Sequence, residues 1–458
     1  MFLQLLLIMP ITQELPTELL KRCSSQRALS AVEALCELGP RSGGTPSGHA
    51  SAAWIARRLR GMNLSPTVLE DPPIWAYESK ISTLRATATH EDGRTTNLEL
   101  TSAIAFQHSS ASEGSANLSV ELPTTGAFLG PRVPRTTETG ALSPAIILVD
   151  SGEATPRPRS LRPGGAKPSP TLSIGAHEGE WLRSAMASGA EVRLEWSTEA
   201  SSYRASPRSV FAAIPARQGA LPGFFLITAH AESVGGGEGL NGNASGVSVL
   251  LEVARAWGSA VRDGAVPGPA REVRFAIWGA RGHSARAWMT RHQGAAGERL
   301  LGVLNLEQLA RSSAGRRLHF EPDDHPSNKG MIEHIWEELS SARGRLGTPE
   351  RWASNRNRGS ADLGPFLRLG SGRSNAPPSL TLFAAGGSEP EVVDRSLGLG
   401  GTSWRHSDKI QIPHDPLLRG KLDGRAAPPE DSGALLEVAA RTVLLILPSW
   451  LERLSQEE

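Results

Sequence analysis

The stretch ITAHAESVGGGEGLNGNASGVSVLLEVARAW, residues 227–257, decides the fold. It starts as an apolar run ending in His230 and passes through a glycine-rich loop. It continues as a helix on which Val247, Leu250, Leu251 and Ala254 recur at helical spacing. A strand, a loop and a helix in that order place the loop at the edge of a sheet where α/β proteins keep their ligands. The glycine run is not a phosphate loop, because no Gly-Lys-Ser/Thr follows it.

From residue 206 to the end, the apolar runs SVFAAIP, FFLITAH, VRFAIWGA, GVLNLE and SLTLFAA alternate with helical patterns, and SGALLEVAARTVLLIL closes the series. This texture predicts an α/β domain over 206–458: a mostly parallel central sheet with helices on both faces, its ligands at the carboxyl ends of the strands. His230, Trp278 and Glu307 stand at those ends. Residues 75–205 read differently, as short strands such as ISTLRATA, TTNLEL, AIILVDSG and EVRLEW around the helical AHEGEWLRSAMASGA, and predict an inserted β-rich domain. Residues 1–74 carry two amphipathic helices, SQRALSAVEALCEL and SGHASAAWIARRLRGM, and read as the N-terminal helical part of the α/β domain.

Composition narrows the function classes. Over 458 residues, 48 basic and 47 acidic side chains leave a formal charge of +1, so no overall field favours nucleic acid or an anionic membrane. No apolar run reaches the roughly 18–20 residues of a membrane span. Cys23 and Cys36 lack metal-knuckle or disulfide spacing and read as structural. The opening MFLQLLLIMPI is apolar without a basic start or a small-residue cleavage site, and it reads either as a secretion signal or as a segment docked on the core. The compartment, cytoplasmic or secreted, stays open.

At the residues of the opening motif the chain resembles the co-catalytic zinc aminopeptidases of metallopeptidase family 28. That structural group also holds glutamate carboxypeptidase, glutaminyl cyclase and the transferrin receptor ectodomain. NASG and LEVAR match the family's helix start. ELGPRSGGTPSGHASAAWIARRLRGM resembles its N-terminal segment, REVRFAIWGA the strand before its Glu-Glu pair, and GVLNLEQ its strand ending in an acidic ligand. SADLGPFLRLG resembles its Ser-Asp segment and SWRHSDKI its late His-bearing loop, while AIILVDSG and GAEVRLEW resemble a protease-associated insert. The resemblance implies an aminopeptidase-like hydrolase releasing N-terminal residues from peptides.

It also implies a ligand set, and here the chain departs from the family. His230 matches the first His ligand, and Glu232 stands where an Asp orients the site. Glu307 replaces an Asp ligand, and His406 matches the last His ligand, with His414 as an alternative. Gly242 occupies the bridging Asp position. Arg281 and Gly282 occupy the Glu-Glu positions, general base and ligand, in a segment that looks a few residues short. A two-zinc site needs a bridging carboxylate and a free base, and a guanidinium can neither accept a proton nor tolerate a nearby dication. The expectation is a catalytically impaired homologue holding at most one zinc ion, or none, and a peptide or protein ligand.

Two alternatives stay open. His283 could join His230, Glu307 and His406 around a single ion, with Glu232 or Glu238 as base. Otherwise His283 is an ordinary helix-start residue and Arg281 pairs with Glu307, neutralising the old metal pocket. Asp362 and Ser360 read as loop-fixing residues, since no Gly-x-Ser-x-Gly elbow accompanies them.

Overall fold

The structure, a computed structural model, describes residues 14–119, 126–129, 146–150, 170–233, 238–292, 299–310, 317–321, 326–342, 352–354, 362–366, 377–385, 419–422, 425–426 and 432–456. Two eight-stranded sheets organise them. The first runs β1 (Thr67–Glu70), β10 (Arg208–Ile214), β12 (Glu272–Trp278), β11 (Phe224–His230), β13 (Leu300–Leu306), β16 (Ser379–Ala385), β14 (Arg317–Glu321) and β15 (Trp352–Ser354).

The central run β12–β11–β13–β16 is parallel, but β10 pairs antiparallel with β1 and β12, and β14 with β16. The expected mostly parallel sheet is therefore only partly parallel. Parallel neighbours need a crossover connection, usually a helix. β10 instead enters directly from the last strand of the second sheet, with only residues 206–207 between them.

All seven residues of β11 are buried, as its continuous apolar run requires. Phe225, Ile227 and Ala229 enter one core, shared with α1 (Glu14–Lys21), α2 (Ser25–Cys36), α3 (Pro46–Gly61), α5 (Ser245–Arg262), α7 (Lys329–Ser341) and a long closing helix, α8 (Ser432–Gln456). Phe224 and Leu226 enter the other, with Trp278, Val303 and Phe366, and with Ala285 and Trp288 of α6 (Arg281–His292). Helices thus cover both faces.

The sequence pattern of α8 stops at Leu447, yet the helix runs through Pro448. Trp450 and Leu451, beyond the proline, are buried in the first core, and their burial offsets the roughly 3 kcal/mol that an interior proline costs. By length and hydropathy α8 would pass for a membrane span. However, 72% of its apolar window is buried, and it packs against α1, α2, α5 and α7 as a core helix.

The second sheet runs β3 (Thr95–Glu99), β2 (Ile74–Thr89), β9 (Glu191–Ala205), β5 (Ser112–Ser119), β6 (Gly126–Leu129), β7 (Ile146–Asp150), β8 (Thr171–Ile174) and β4 (Ile104–Ala105). β2 and β9 pair from Ile74↔Ala205 to Thr89↔Glu191. Leu84, Leu148, Leu194 and Trp196 form a separate core, with Leu182 of α4 (Ala176–Ala187) packed into it.

Candidate functional site

β11 and β13 are parallel neighbours with Thr228 opposite Asn305. Side chains alternate along a strand, so His230 and Glu307, each two residues further on, leave the sheet on one face. His230 Nε2 and Glu307 Oε1 lie 4.0 Å apart, and both residues are buried. His230 Nδ1 is 2.7 Å from the Glu232 main-chain oxygen, which only accepts, so Nδ1 carries the proton and Nε2 presents a lone pair. Nε2 itself has no hydrogen-bond partner among the described residues. The group of Glu232 that meets the imidazole is its main-chain carbonyl. Beneath the pair, Thr228 Oγ1 donates to Asn305 Oδ1 at 2.9 Å, and Asn305 Nδ2 donates to Glu307 Oε2 at 3.4 Å.

The polar residues of NGNASG are a scaffold. Asn243 Oδ1 accepts from the Gly246 and Gln308 amides at 3.0 Å each, and its Nδ2 donates to the Leu306 carbonyl at 2.9 Å. Asn241 Oδ1 accepts from the Ala310 amide at 3.0 Å, and Ser245 Oγ from the Leu309 amide at 2.9 Å. These bonds hold the loop that carries Glu307 against the start of α5. Between the two asparagines, Gly242 has φ −120° and open space: a Cβ there meets nothing within 4 Å. Crowding does not keep a side chain out of position 242.

Arg281 begins α6 at φ +39°. Its Nε and Nη2 are buried and have no hydrogen-bond partner among the described residues. The expected Arg281–Glu307 pair is not formed; Glu307 faces His230 and Asn305 instead. Nor is His283 gathered with His230 and Glu307: it is exposed, and its Nε2 lies 2.9 Å from the Pro72 carbonyl. Among the described residues no group of three or more His, Cys, Asp or Glu is placed to hold a metal. His406, its alternative His414, and Ser360 lie outside the described residues, while Asp362 is buried. Cys23 and Cys36 are both buried, and burial pushes the Cys23 thiol up to about 12.

Arg41 was not singled out by its sequence, although it stands within GPRSGG. It is fully buried, donating from Nε to Ala231 O at 3.0 Å, from Nη1 to Leu35 O at 2.9 Å and to Glu238 O, and from Nη2 to Gly239 O at 3.2 Å. The only available signal was an arginine inside a run of small turn residues.

These charges set the electrostatics of the cleft. Burial, then the Arg281 cation, pushes His230 down to about 3, with Glu307 opposing and Arg41 adding to the depression. Burial pushes Glu232 up, with Arg281 opposing. An unfolded histidine titrates near 6.5. Between about 3 and 6.5 the unfolded state therefore binds the extra proton, and stability rises with pH. The contribution of His230 is complete above about 6.5 and is lost as pH falls towards 3, on the order of 5 kcal/mol in total. Denaturant titrations of chelator-treated protein at pH 7 and pH 4 should show this loss, and His230→Gln should flatten it; an unchanged pH dependence in that variant would refute the assignment.

Residues 209–375 match the model of peptidase family M28. That match supports the likeness to the family over the α/β part of the chain. Among solved structures, this chain is similar to an M28 peptidase precursor from Shewanella amazonensis, at 14% identity, 95% of this chain, 96% of that one and a TM-score of 0.63. It is also similar to an aminopeptidase from Aneurinibacillus, at 18% identity, 94% and 96% coverage and a TM-score of 0.54. A zinc aminopeptidase from Bacillus subtilis matches at 20% identity, 91% and 94% coverage and a TM-score of 0.54. At these identities the likeness speaks to the fold. No curated protein matches the sequence.

Proposed function

We propose that this M28 peptidase homologue has an impaired dinuclear centre and keeps the old metal cleft as a binding surface for a peptide or protein ligand. The observation that carries this reading is Arg281, whose guanidinium Nε and Nη2 are buried at the position the resemblance gives to the general base. A guanidinium stays protonated, so it cannot take the proton from an attacking water. A unit charge and a dication 7 Å apart repel by roughly 5 kcal/mol at an effective dielectric of 20.

The donor set fits two zinc ions poorly. His230 Nε2 and Glu307 Oε1 face one another, Gly242 supplies nothing, and the described residues offer no third donor. A stable zinc site takes three or four protein ligands.

One observation favours a single-ion peptidase as the rival: the orphaned lone pair of buried His230 Nε2 beside Glu307. The two readings separate in one experiment. Purified full-length protein is expected to hold substoichiometric zinc by elemental analysis, to stay folded after chelation, and to hydrolyse aminoacyl p-nitroanilides no faster with added zinc than without it. Stoichiometric zinc with chelator-sensitive turnover would establish the single-ion peptidase and overturn the proposal.

A further inference from the structure

Buried polar atoms in folded proteins are almost always paired. At the carboxyl end of this sheet several are not: Arg281 Nε and Nη2, His230 Nε2 and, beside Gly242, Asn241 Nδ2. His230 and Asn241 are each only 1% exposed, so solvent does not satisfy them. Arg281 carries a second cost in its left-handed backbone, φ +39°, where a long side chain is strained. Two destabilising features at one residue, three positions beyond the Trp278 that pairs with His230, and with neighbouring orphans of complementary character, point to a ligand that completes them.

The character of the orphans says what that ligand carries. On one side, His230 Nε2 offers a lone pair 4.0 Å from the Glu307 carboxylate, a pair that takes an N–H or an ammonium. On the other, Arg281 offers N–H donors in the fixed fork that matches a carboxylate. The Arg281 charge is within electrostatic reach of His230 and of Glu232. A dication suits only the acceptors, and an inorganic anion only the donors. A carboxylate two bonds from a nitrogen suits both.

We propose that the cleft binds an α-amino-carboxylate group, either a free amino acid or the C-terminal residue of a peptide, with the carboxylate on Arg281 and the neighbouring N–H or ammonium on His230 and Glu307. This rests on the reading of the site as a binding cleft without a dinuclear centre, and it names the chemistry that cleft recognises.

Isothermal titration of chelator-treated full-length protein tests it with three probes: L-alanine, N-acetyl-alanyl-alanine and N-acetyl-alanyl-alanine amide. The amide is expected to bind at least about tenfold more weakly than the acid, because it leaves the buried guanidinium without its counter-charge. The stronger of the two carboxylate probes identifies the source, a free amino acid if L-alanine leads and a peptide end if the acetylated dipeptide does. Arg281→Met is expected to erase the preference for acid over amide while raising the melting temperature of ligand-free protein, since unpaired buried donors are removed. Arg281→Lys is expected to keep a reduced preference, through charge without the fork.

Equal binding of acid and amide by the wild-type chain, no binding of any probe at millimolar concentration, or an unaltered preference in Arg281→Met would each overturn the inference. The wild-type comparison stands even if Arg281→Met does not fold. Acid binding that is lost on chelation and restored by zinc would instead overturn the reading of the cleft as metal-poor. Loss of discrimination in metal-free protein would overturn this inference alone.

Discussion

Gly242→Asp, Arg281→Glu and Gly282→Glu together are expected to raise zinc affinity by at least about a hundredfold over the wild-type chain. The space for the first change exists: a Cβ at Gly242 meets nothing within 4 Å, and its φ of −120° is open to any residue. The flanking positions are already held, Asn243 by the Gly246 and Gln308 amides and Asn241 by the Ala310 amide, so a carboxylate at 242 would project from a fixed turn. The Arg281→Glu change replaces a cation by an anion at the edge of the cleft where His230 and Glu307 lie 4.0 Å apart.

The single changes should not add up to the triple. Gly242→Asp alone would place its carboxylate in the field of a guanidinium that has two buried, unpartnered nitrogens, and an Asp–Arg pair would consume the new ligand. Competition with a chromogenic chelator gives the affinities, and the rise in melting temperature with zinc gives an independent estimate, since ligand binding to the native state alone stabilises it by RT ln(1 + [L]/Kd). No gain in the triple variant would mean that residues 242, 281 and 282 do not stand where the lost ligands stood.

The elements that hold the site were legible because their patterns are local. FFLITAH reads as a buried strand and becomes β11, SQRALSAVEALCEL becomes α2, and AHEGEWLRSAMASGA becomes α4. The juxtaposition of His230 and Glu307 was legible too, because parallel neighbouring strands bring their ends together. Pairing direction at the flanks was not: β10 is a short apolar strand like the rest, its reversal depends on where the chain enters the sheet, and β14, Arg-Leu-His-Phe-Glu, has too little apolar character to be read as a strand at all.

Side-chain direction at irregular backbone was equally hidden. Arg281 and Glu307 looked like natural partners on charge alone. Yet Arg281 starts α6 at positive φ, Gln308 just after Glu307 has φ +56°, and the two charges do not pair. The asparagines of NGNASG match a ligand-bearing motif in sequence, but their bonds are to main-chain groups, which makes them parts of the scaffold.

Arg41→Ala is expected to destabilise the chain by about 3–5 kcal/mol in equilibrium denaturation, the range for removing a large buried side chain together with several of its hydrogen bonds. The side chain is fully buried and spreads its donors over the carbonyls of Leu35, Ala231, Glu238 and Gly239, while its own amide donates to Ser233 Oγ at 2.7 Å and its carbonyl accepts from the Ser233 amide at 3.2 Å. Removing it strands acceptors on both sides of the glycine-rich segment and leaves a cavity no water-sized rearrangement of small turn residues can fill. Arg41→Lys should recover less than half of the loss, because an ammonium has three donors on one atom and cannot span acceptors that the guanidinium reaches from Nε, Nη1 and Nη2. The damage should be directional: hydrogen exchange should quicken at the Ser233 and Ala231 amides, next to His230, before it quickens in β2 or β9 of the second sheet. A loss of no more than about 1 kcal/mol, with unchanged exchange at Ser233, would show that the loop beside His230 holds its shape without this arginine.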